Sequence, residues 1–298
     1  MDILEKEIEL RSKKLDQSCR LFHGRGQCFA GFEDLLIDWF EPVVLVTLYR
    51  CRSVLWLEGL VSQLQKQIPT LEAIVLQQRY LKNSPSELLF GQLPEELVAY
   101  EAGLKYQLSL NSAQNIGFFP DMAMARDYVR SHAQGKKVLN LFAYTCSFSV
   151  AAVAGQANQV VNLDMSRNSL TCGKLNHQLN MFDQRNVSYL SVELFRSFSK
   201  LKKLSPFDLI VCDPPGDQGQ SFRAERDWPR LVKKLPGLLA PGGLIMACVS
   251  SPHLSSSTLK ELFKKECPQA HLKDILTAGE DFPERDQDKG CRVFIYQF

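Results

Sequence analysis

VLNLFAYTCSFSVAAVAGQANQVVNLD, residues 138–164, decides the fold. VLNLF (138–142) is a short apolar run. A stretch with helical character starts at Ser147, and a second apolar run, QVVNL (159–163), stops on Asp164. Outward from this unit the same alternation continues: a helix from Ser166 to about Met181, then the runs SYLSV (188–192), DLIVC (208–212) and LIMACV (244–249), separated by segments long enough for crossovers. Short apolar strands at this spacing, each buried on both faces, predict a parallel sheet covered by helices. HLKDILTA (271–278) and RVFIYQF (292–298) have no helix-length segment between them and are expected to pair antiparallel at a sheet edge.

Before residue 111 the texture differs. Residues 4–20 read as an amphipathic helix with charges of both signs. LLIDWF (35–40), VVLVTLYR (43–50) and SVLWL (53–57), interrupted by Glu41-Pro42, read as strands, as do EAIVLQQ (72–78) and KYQLSL (105–110). LEGLVSQLQKQIP (57–69) has helical spacing and stops at Pro69. The expected organisation is an α+β domain over 1–111 and an α/β domain over 112–298. There is no internal repeat, and SSPHLSSS (250–257) is the one low-complexity tract.

With 298 residues, 45% of them hydrophobic and 23% charged, the chain is long enough for a large core and has the balance of a globular protein. No apolar run reaches the eighteen or so residues of a membrane span. MDILEKEIELRSKKLD (1–16) is too charged for a signal peptide, so a cytoplasmic location is expected. Nine scattered cysteines without a C-x-x-C pair argue for reduced thiols and against structural zinc. A net charge of +2 neither requires nor excludes a nucleic-acid partner.

In an open parallel sheet, ligands bind at the carboxyl ends of the strands, where the strand order reverses. Four such tips carry candidate residues. At the first, 140–155, backbone N–H groups at a helix start could hold a carboxylate, although Cys146 stands where a glycine is expected. At the second, NLDMS (162–166), Asp164 follows the first turn by about 20 residues, the place for a carboxylate that accepts both ribose hydroxyls of a nucleoside cofactor. The plainer reading is that Asp164 caps the helix beginning near Ser166. At the third, Glu193 can accept an adenine amino group or be an ordinary loop acid. At the fourth, VCDPPG (211–216), Asp213, Pro214 and Pro215 end an apolar strand in a rigid extended turn, suited to fixing a flat group beside a bound cofactor.

These residues resemble a known family. From about Gln114 to the end, QNIGFFPDMAMAR (114–126), VLNLFAYTCSFSVAA (138–152), NLDMSRNSL (162–170), Leu179-Asn180 and DLIVCDPPG (208–216) resemble the bacterial large-subunit (23S) rRNA methyltransferases that act at carbon 5 of cytosine or nitrogen 7 of guanine. RLFHGRGQCFAGFEDLLIDWF (20–40) resembles the family's substrate-side domain, and the family's small N-terminal RNA-binding module is expected to be missing, with no room for it before residue 20. The resemblance implies a Rossmann-like class I methyltransferase sheet with an antiparallel last strand and S-adenosyl-L-methionine as cofactor. It implies a cofactor site of Asn140, Phe142, Tyr144, Cys146, Asp164, Met165, Ser166, Glu193 and Asp213, with Phe118, Phe119, Asp121 and Arg126 also against the cofactor. For Phe118 and Phe119 the alternative is core packing. RNA, in the first place rRNA, is the implied partner, without membrane or metal; a homodimer is left open.

Three departures from the family pattern matter. Cys146 replaces a glycine, and Met122 and Ala123 interrupt the pattern that keeps Asp121 and Arg126. Third, carbon-5 methylation requires a thiolate to add to carbon 6, yet in ACVSSPHLS (247–255) Ser250 stands at the family's cysteine position. Cys248 would sit about 7 Å short of the strand tip and, like Cys212, is expected in the core. Transfer to a nitrogen needs no covalent step, only alignment and exclusion of water, with Asp213 and the proline carbonyls on the polar edge of the target. His253 is a candidate base or a solvated loop residue, and Phe222 and Trp228 are stacking candidates or packing residues. A basic surface from Arg223, Arg226, Arg230, Lys233 and Lys234 beside Asp213 would favour RNA. The alternatives are a methyltransferase on a non-RNA acceptor and a decayed protein that binds RNA or cofactor without transfer.

Overall fold

Strands such as FDLIVC and VVLVTL are apolar on both faces, and in the computed structural model they lie in the middle of two separate sheets. The structure describes residues 2–13, 15–110, 115–216, 222–251 and 253–298. The expected boundary at 111/112, Gln114 and Pro252 lie outside the described residues. The chain forms two compact units, Met1–Pro120 with Gly279–Arg285, and Asp121–Ala278 with Asp286–Phe298.

The first unit opens with α1 (Asp2–Arg11), shorter than the expected helix because the chain must enter β1 (Cys19–His23). A five-stranded sheet follows in the order β1, β2 (Leu35–Phe40), β3 (Val43–Leu48), β4 (Ala73–Gln78), β5 (Ser86–Gly91). All its pairings are antiparallel except β3 with β4, which run parallel and are joined by α2 (Val54–Gln67). SVLWL, expected as a strand, is instead the start of α2. The Ser53 hydroxyl caps it by accepting the Trp56 N–H at 3.3 Å, and a short apolar run cannot reveal its own period. A two-stranded hairpin, β6 (Val98–Glu101) with β7 (Leu104–Gln107), completes the unit. The segment 279–285 joins it from far along the chain: Arg285 N–H donates to Gly26 O at 2.8 Å, and the Arg20 guanidinium, paired with Asp38, lies 4.9 Å from the Phe282 ring centre.

The second unit is a seven-stranded sheet in the order β10, β9, β8, β11, β12, β14, β13. Its strands are β8 (Lys137–Leu141), β9 (Gln159–Asp164), β10 (Val187–Ser191), β11 (Phe207–Cys212), β12 (Leu239–Val249), β13 (His271–Thr277) and β14 (Arg292–Gln297). β8 to β12 pair in parallel, and β14 is antiparallel to both β12 and β13, as expected from the helix-free interval between the last two runs. The helices are α3 (Ala123–His132), α4 (Ser147–Ala154), α5 (Arg167–Leu179), α6 (Phe198–Leu204), α7 (Ala224–Val232) and α8 (Ser256–Glu266). On one face Val138, Val160, Val211 and Ile295 pack against Val129, Phe148 and Ala152. On the other, Leu139, Val161, Ile210 and Ile245 pack against Leu201, Leu231 and Phe263. Each of the Val, Leu, Ile and Phe side chains contributes about 1.5–3 kcal/mol by leaving water. The order reverses between β8 and β11, so the crevice above their carboxyl ends is where a ligand site forms.

Candidate functional site

The turn after β8 uses a glycine's backbone without a glycine. Phe142, Tyr144 and Cys146 have φ of 58°, 44° and 61°, three left-handed residues within five. For non-glycine residues this costs roughly 1–2 kcal/mol each, and the structure shows what holds it. Tyr144 N–H donates to Asp164 Oδ2 at 2.9 Å, Ala143 N–H to Leu163 O at 3.0 Å, and Cys146 N–H to Ala143 O at 2.7 Å. Asp164 Oδ1 accepts the Ser166 N–H at 2.7 Å. The helix cap is Ser166 itself, whose hydroxyl accepts the Ser169 N–H at 3.1 Å, so Asp164 ties the first two tips together and does not cap α5. Cys146 precedes α4 and offers no side-chain acceptor to its first turn, which leaves that turn suited to an external carboxylate.

Cys146 fits because residue 173 has no side chain. A Cβ on Gly173 would stand 2.4 Å from Cys146 Sγ and 2.8 Å from its Cβ. Gly173→Ala is therefore expected to destabilise the protein by about 1–3 kcal/mol, and Cys146→Gly in the same chain to restore most of the loss. Urea unfolding of the two single variants and the double variant measures the coupling. Additive effects would mean that the helix moves aside freely.

Below the turn runs a buried polar chain. Asn140 on β8 and Asn162 on β9 are register partners, and Asn140 Nδ2 donates to Asn162 Oδ1 at 2.9 Å. Asn162 Nδ2 donates to Ser149 Oγ at 2.9 Å, Ser149 Oγ lies 3.0 Å from His177 Nε2, and His177 Nδ1 lies 2.8 Å from Gly173 O. A carbonyl can only accept, so Nδ1 carries the proton and Nε2 accepts from Ser149. Burial lowers the His177 pKa and keeps the ring neutral. The Asn140 Oδ1 atom is buried without a hydrogen-bond partner among the described residues. Asn162, Ser149 and His177 were not singled out from sequence; the signal available was a polar residue at matching positions of two otherwise apolar strands.

At the tip of β11, Asp213 N–H reaches Leu141 O at 3.5 Å, Pro214 is buried and Pro215 is exposed. Burial first, and the neighbouring Asp121 second, push the Asp213 carboxyl up to about 7 against the pull of Arg126. Arg126 is 2% exposed on α3. The departure Met122 is buried, its sulfur 3.5 Å from Cys291 Sγ. Cys212 and Cys248 are buried, as expected, and burial raises both thiols, each further through the Asp213 charge. Ser250 and His253 are exposed.

Other expected residues divide. Met165 is 58% exposed beside Asp164, an apolar surface open to a ligand. Glu193 turns the chain toward α6: Oε1 accepts the Phe195 N–H at 2.9 Å and Oε2 the Arg196 N–H at 2.8 Å. Phe118 and Phe119 fall in the first unit, where Phe118 is buried and stacked on Tyr106 at 4.8 Å while Phe119 is 42% exposed. Phe222 and Trp228 are packing residues. Both are buried, with Phe222 edge-on to Phe142 at 5.2 Å and to Trp228 at 6.0 Å.

The helices either side of β11 carry exposed cations: Arg196, Lys200, Lys202 and Lys203 around α6, and Arg223, Arg226, Arg230, Lys233 and Lys234 around α7. Buried Asp227 pairs with Arg226 and Arg230, which hold its carboxyl down to about 2 although its burial alone would raise it. Arg230 lies over Phe195 at 4.0 Å and Lys234 over Phe198 at 4.8 Å, so the two basic segments are neighbours. Among the described residues no group of three or more His, Cys, Asp or Glu is gathered as for a metal ion, and no helix is long and apolar enough to cross a membrane.

Comparison with known proteins matches residues 19–297 to the family described as S-adenosylmethionine-dependent methyltransferase. A protein of Bacillus subtilis (strain 168), provisionally named ribosomal RNA large subunit methyltransferase YwbD, is 28% identical over 299 residues, covering 94% of this chain and 74% of the relative. Ribosomal RNA large subunit methyltransferase I of Aeromonas hydrophila is 29% identical over 206 residues, covering 66% of this chain and 52% of the relative. The chain thus spans about half the length of that second relative. The crystal structure of SMU.776, provisionally described as a methyltransferase and complexed with SAH, superposes with a TM-score of 0.87 at 25% identity, over 100% of this chain and 81% of that one.

Proposed function

The chain belongs to the S-adenosylmethionine-dependent methyltransferases, and from that premise we propose that it methylates a nitrogen of a base in RNA, rRNA first, in the cytoplasm and without a cysteine adduct. The observation that carries the nitrogen chemistry is the tip of β11, where Asp213 is a carboxyl raised to about 7 while burial suppresses the thiolates of Cys212 and Cys248. The basic segments around α6 and α7, and relatives named as rRNA methyltransferases, support RNA as acceptor.

The residues fit the cofactor. The uncapped start of α4 and the left-handed turn at Phe142, Tyr144 and Cys146 suit its carboxylate, and the orphan Asn140 oxygen is an acceptor beneath that turn. Asp164 retains lone pairs for ribose hydroxyls after accepting two N–H groups. Met165 offers an apolar face to the adenine, with Ser166 beside it, and Glu193 accepts from the adenine amino group. Asp121 and Arg126 set the charge around Asp213.

The bound cofactor supplies an electrophilic methyl group on a sulfonium. Asp213 accepts a hydrogen bond from the polar edge of the base and, where the target is an amino group, takes the proton that transfer releases. Pro214 and Pro215 hold that edge in place with carbonyls that no backbone N–H of their own can compete for.

Methyl-labelled S-adenosylmethionine incubated with the protein and undermethylated rRNA tests the reading. Label in an N-methylated nucleoside after digestion is the expected result. Label confined to protein, DNA or small molecules would overturn RNA as acceptor, and label at cytosine carbon 5 would overturn the mechanism.

A further inference from the structure

The first unit carries a cationic and aromatic surface at the ends of β3 and β4. β3 and β4 are parallel and end side by side, and the chain leaves them through Tyr49, Arg50 and Arg52 on one side and Arg79 on the other. Tyr49 N–H donates to Asp34 O at 2.8 Å and Arg79 N–H to Leu48 O at 2.8 Å, so both exits are fixed by backbone bonds. The turn after β1 adds Arg25.

Three of these arginines, Arg25, Arg52 and Arg79, lie over aromatic rings. The Arg25 guanidinium is 4.1 Å from the centre of the Tyr49 ring, and Arg79 is 5.7 Å from the same ring. Arg52 is 4.9 Å from the Trp56 ring and 5.7 Å from that of Phe32. Arg25 is exposed, and the Arg50 side chain is 61% exposed. The acids here are Asp34, which is buried and bonded to both Arg50 and Arg52, Glu33, which accepts the Gly31 N–H, and Glu87, which accepts from Gln78 Nε2 at 3.3 Å beside Arg79. Four arginines against three acids leave the surface positive. Beside them Val54 and Leu55, 71% and 79% exposed, open α2 and add apolar surface.

A guanidinium stacked on a ring is a flat cation held in one orientation, so little entropy remains to be lost when a second flat group stacks on it. Phosphates answer the charge, and unpaired bases answer the planes and the exposed apolar side chains. A duplex presents its phosphates but keeps its base faces stacked. We propose that this face, centred on Arg25, Tyr49, Arg50 and Trp56, grips a single-stranded segment of the substrate RNA. The proposal rests on the RNA reading above and names the surface of the first unit that serves it.

The test uses the full chain and a fluorescein-labelled single-stranded RNA of about twelve nucleotides, with anisotropy read across a salt series. The double variant Arg25→Ala/Arg50→Ala is expected to weaken binding about 10- to 100-fold and to reduce the salt slope by roughly 1.4. Arg25→Lys keeps the charge and loses the plane, so it is expected to keep the slope and still bind severalfold more weakly. Both variants should bind S-adenosylhomocysteine as wild type does, which shows that the second unit is intact. Variants that bind the RNA like wild type would overturn the surface and leave RNA methylation standing, because methyl incorporation is read separately. Wild-type affinity in Arg25→Lys would overturn the stacking. Displacement of the RNA by poly-glutamate at equal charge would overturn it in favour of an acidic protein partner. No RNA binding by wild type, with no label entering rRNA, would overturn both.

Discussion

Asp213→Asn is expected to transfer methyl groups about 100- to 1,000-fold more slowly than wild type while being more stable above neutral pH. The loss follows from the proposed role of Asp213 as the ionisable acceptor for the base, an effect of about that size for a positioned base or hydrogen-bonding group. Its pH dependence is specific. The wild-type carboxyl is held up to about 7, so kcat/KM should rise with pH through an apparent value near 7 and level off above it. The variant has nothing to ionise there and should give a flat profile.

Stability has the opposite sign. A carboxyl with a raised folded pKa binds its proton more tightly in the native state than in the unfolded one. Stability therefore falls as pH rises from about 4 to about 7, and the full penalty applies above that range. Ionised Asp213 thus costs the fold roughly 2–4 kcal/mol above neutrality as an upper figure, and a neutral isostere escapes most of it. Urea unfolding of both proteins at pH 5 and pH 8 reads this: the separation between the curves should be clearly smaller at the lower pH than at the higher. Equal midpoints at pH 8, or a variant with wild-type turnover, would mean that Asp213 is an ordinary solvated turn residue.

Much of the second unit could be read from sequence because its strands are buried on both faces. VLNLF, QVVNL, DLIVC and LIMACV have few other uses in a globular chain, and their spacing forces crossovers. The first unit was less legible. CRLFH was hidden by Arg20 and His23, whose polarity is satisfied inside the fold by Asp38 and Glu284. SELLFG is largely exposed, so the alternation that marks a half-buried strand is missing. SVLWL has the residue types of a strand, yet Val54 and Leu55 face solvent while Leu60 and Leu64 are buried, a helical pattern visible only over its full length.

The site shows the same division. Asp164 and Asp213 stand out because acids are rare at the ends of apolar strands. Gly173 could not be recognised as the partner of Cys146, since the contact joins residues on different elements. The chain from Asn140 to His177 needed the β8–β9 register before its members could be seen as one network. Phe222 and Trp228 were misleading as stacking candidates because aromatic identity is the same for a base platform and for a core residue.

Asp164→Ala is expected to weaken S-adenosylhomocysteine binding by about 100- to 10,000-fold in calorimetric titration. Two hydroxyl hydrogen bonds to a carboxylate, at about 1.5–3 kcal/mol each, account for that range. The carboxylate also holds the Tyr144 N–H and the Ser166 N–H, so losing it releases a turn containing three left-handed residues as well as a contact. The two roles separate with a ligand lacking the ribose 2′-hydroxyl. If Asp164 touches the ribose, the analogue should cost wild type about 10- to 100-fold and cost Asp164→Ala almost nothing, because the partner is already gone. If Asp164 is only a brace, the analogue should weaken both proteins by the same factor. Asp164→Asn keeps one carbonyl oxygen and should fall between the two. An Asp164→Ala protein that binds within about threefold of wild type would show that neither the brace nor the contact matters, and would move the ribose site away from the tip of β9.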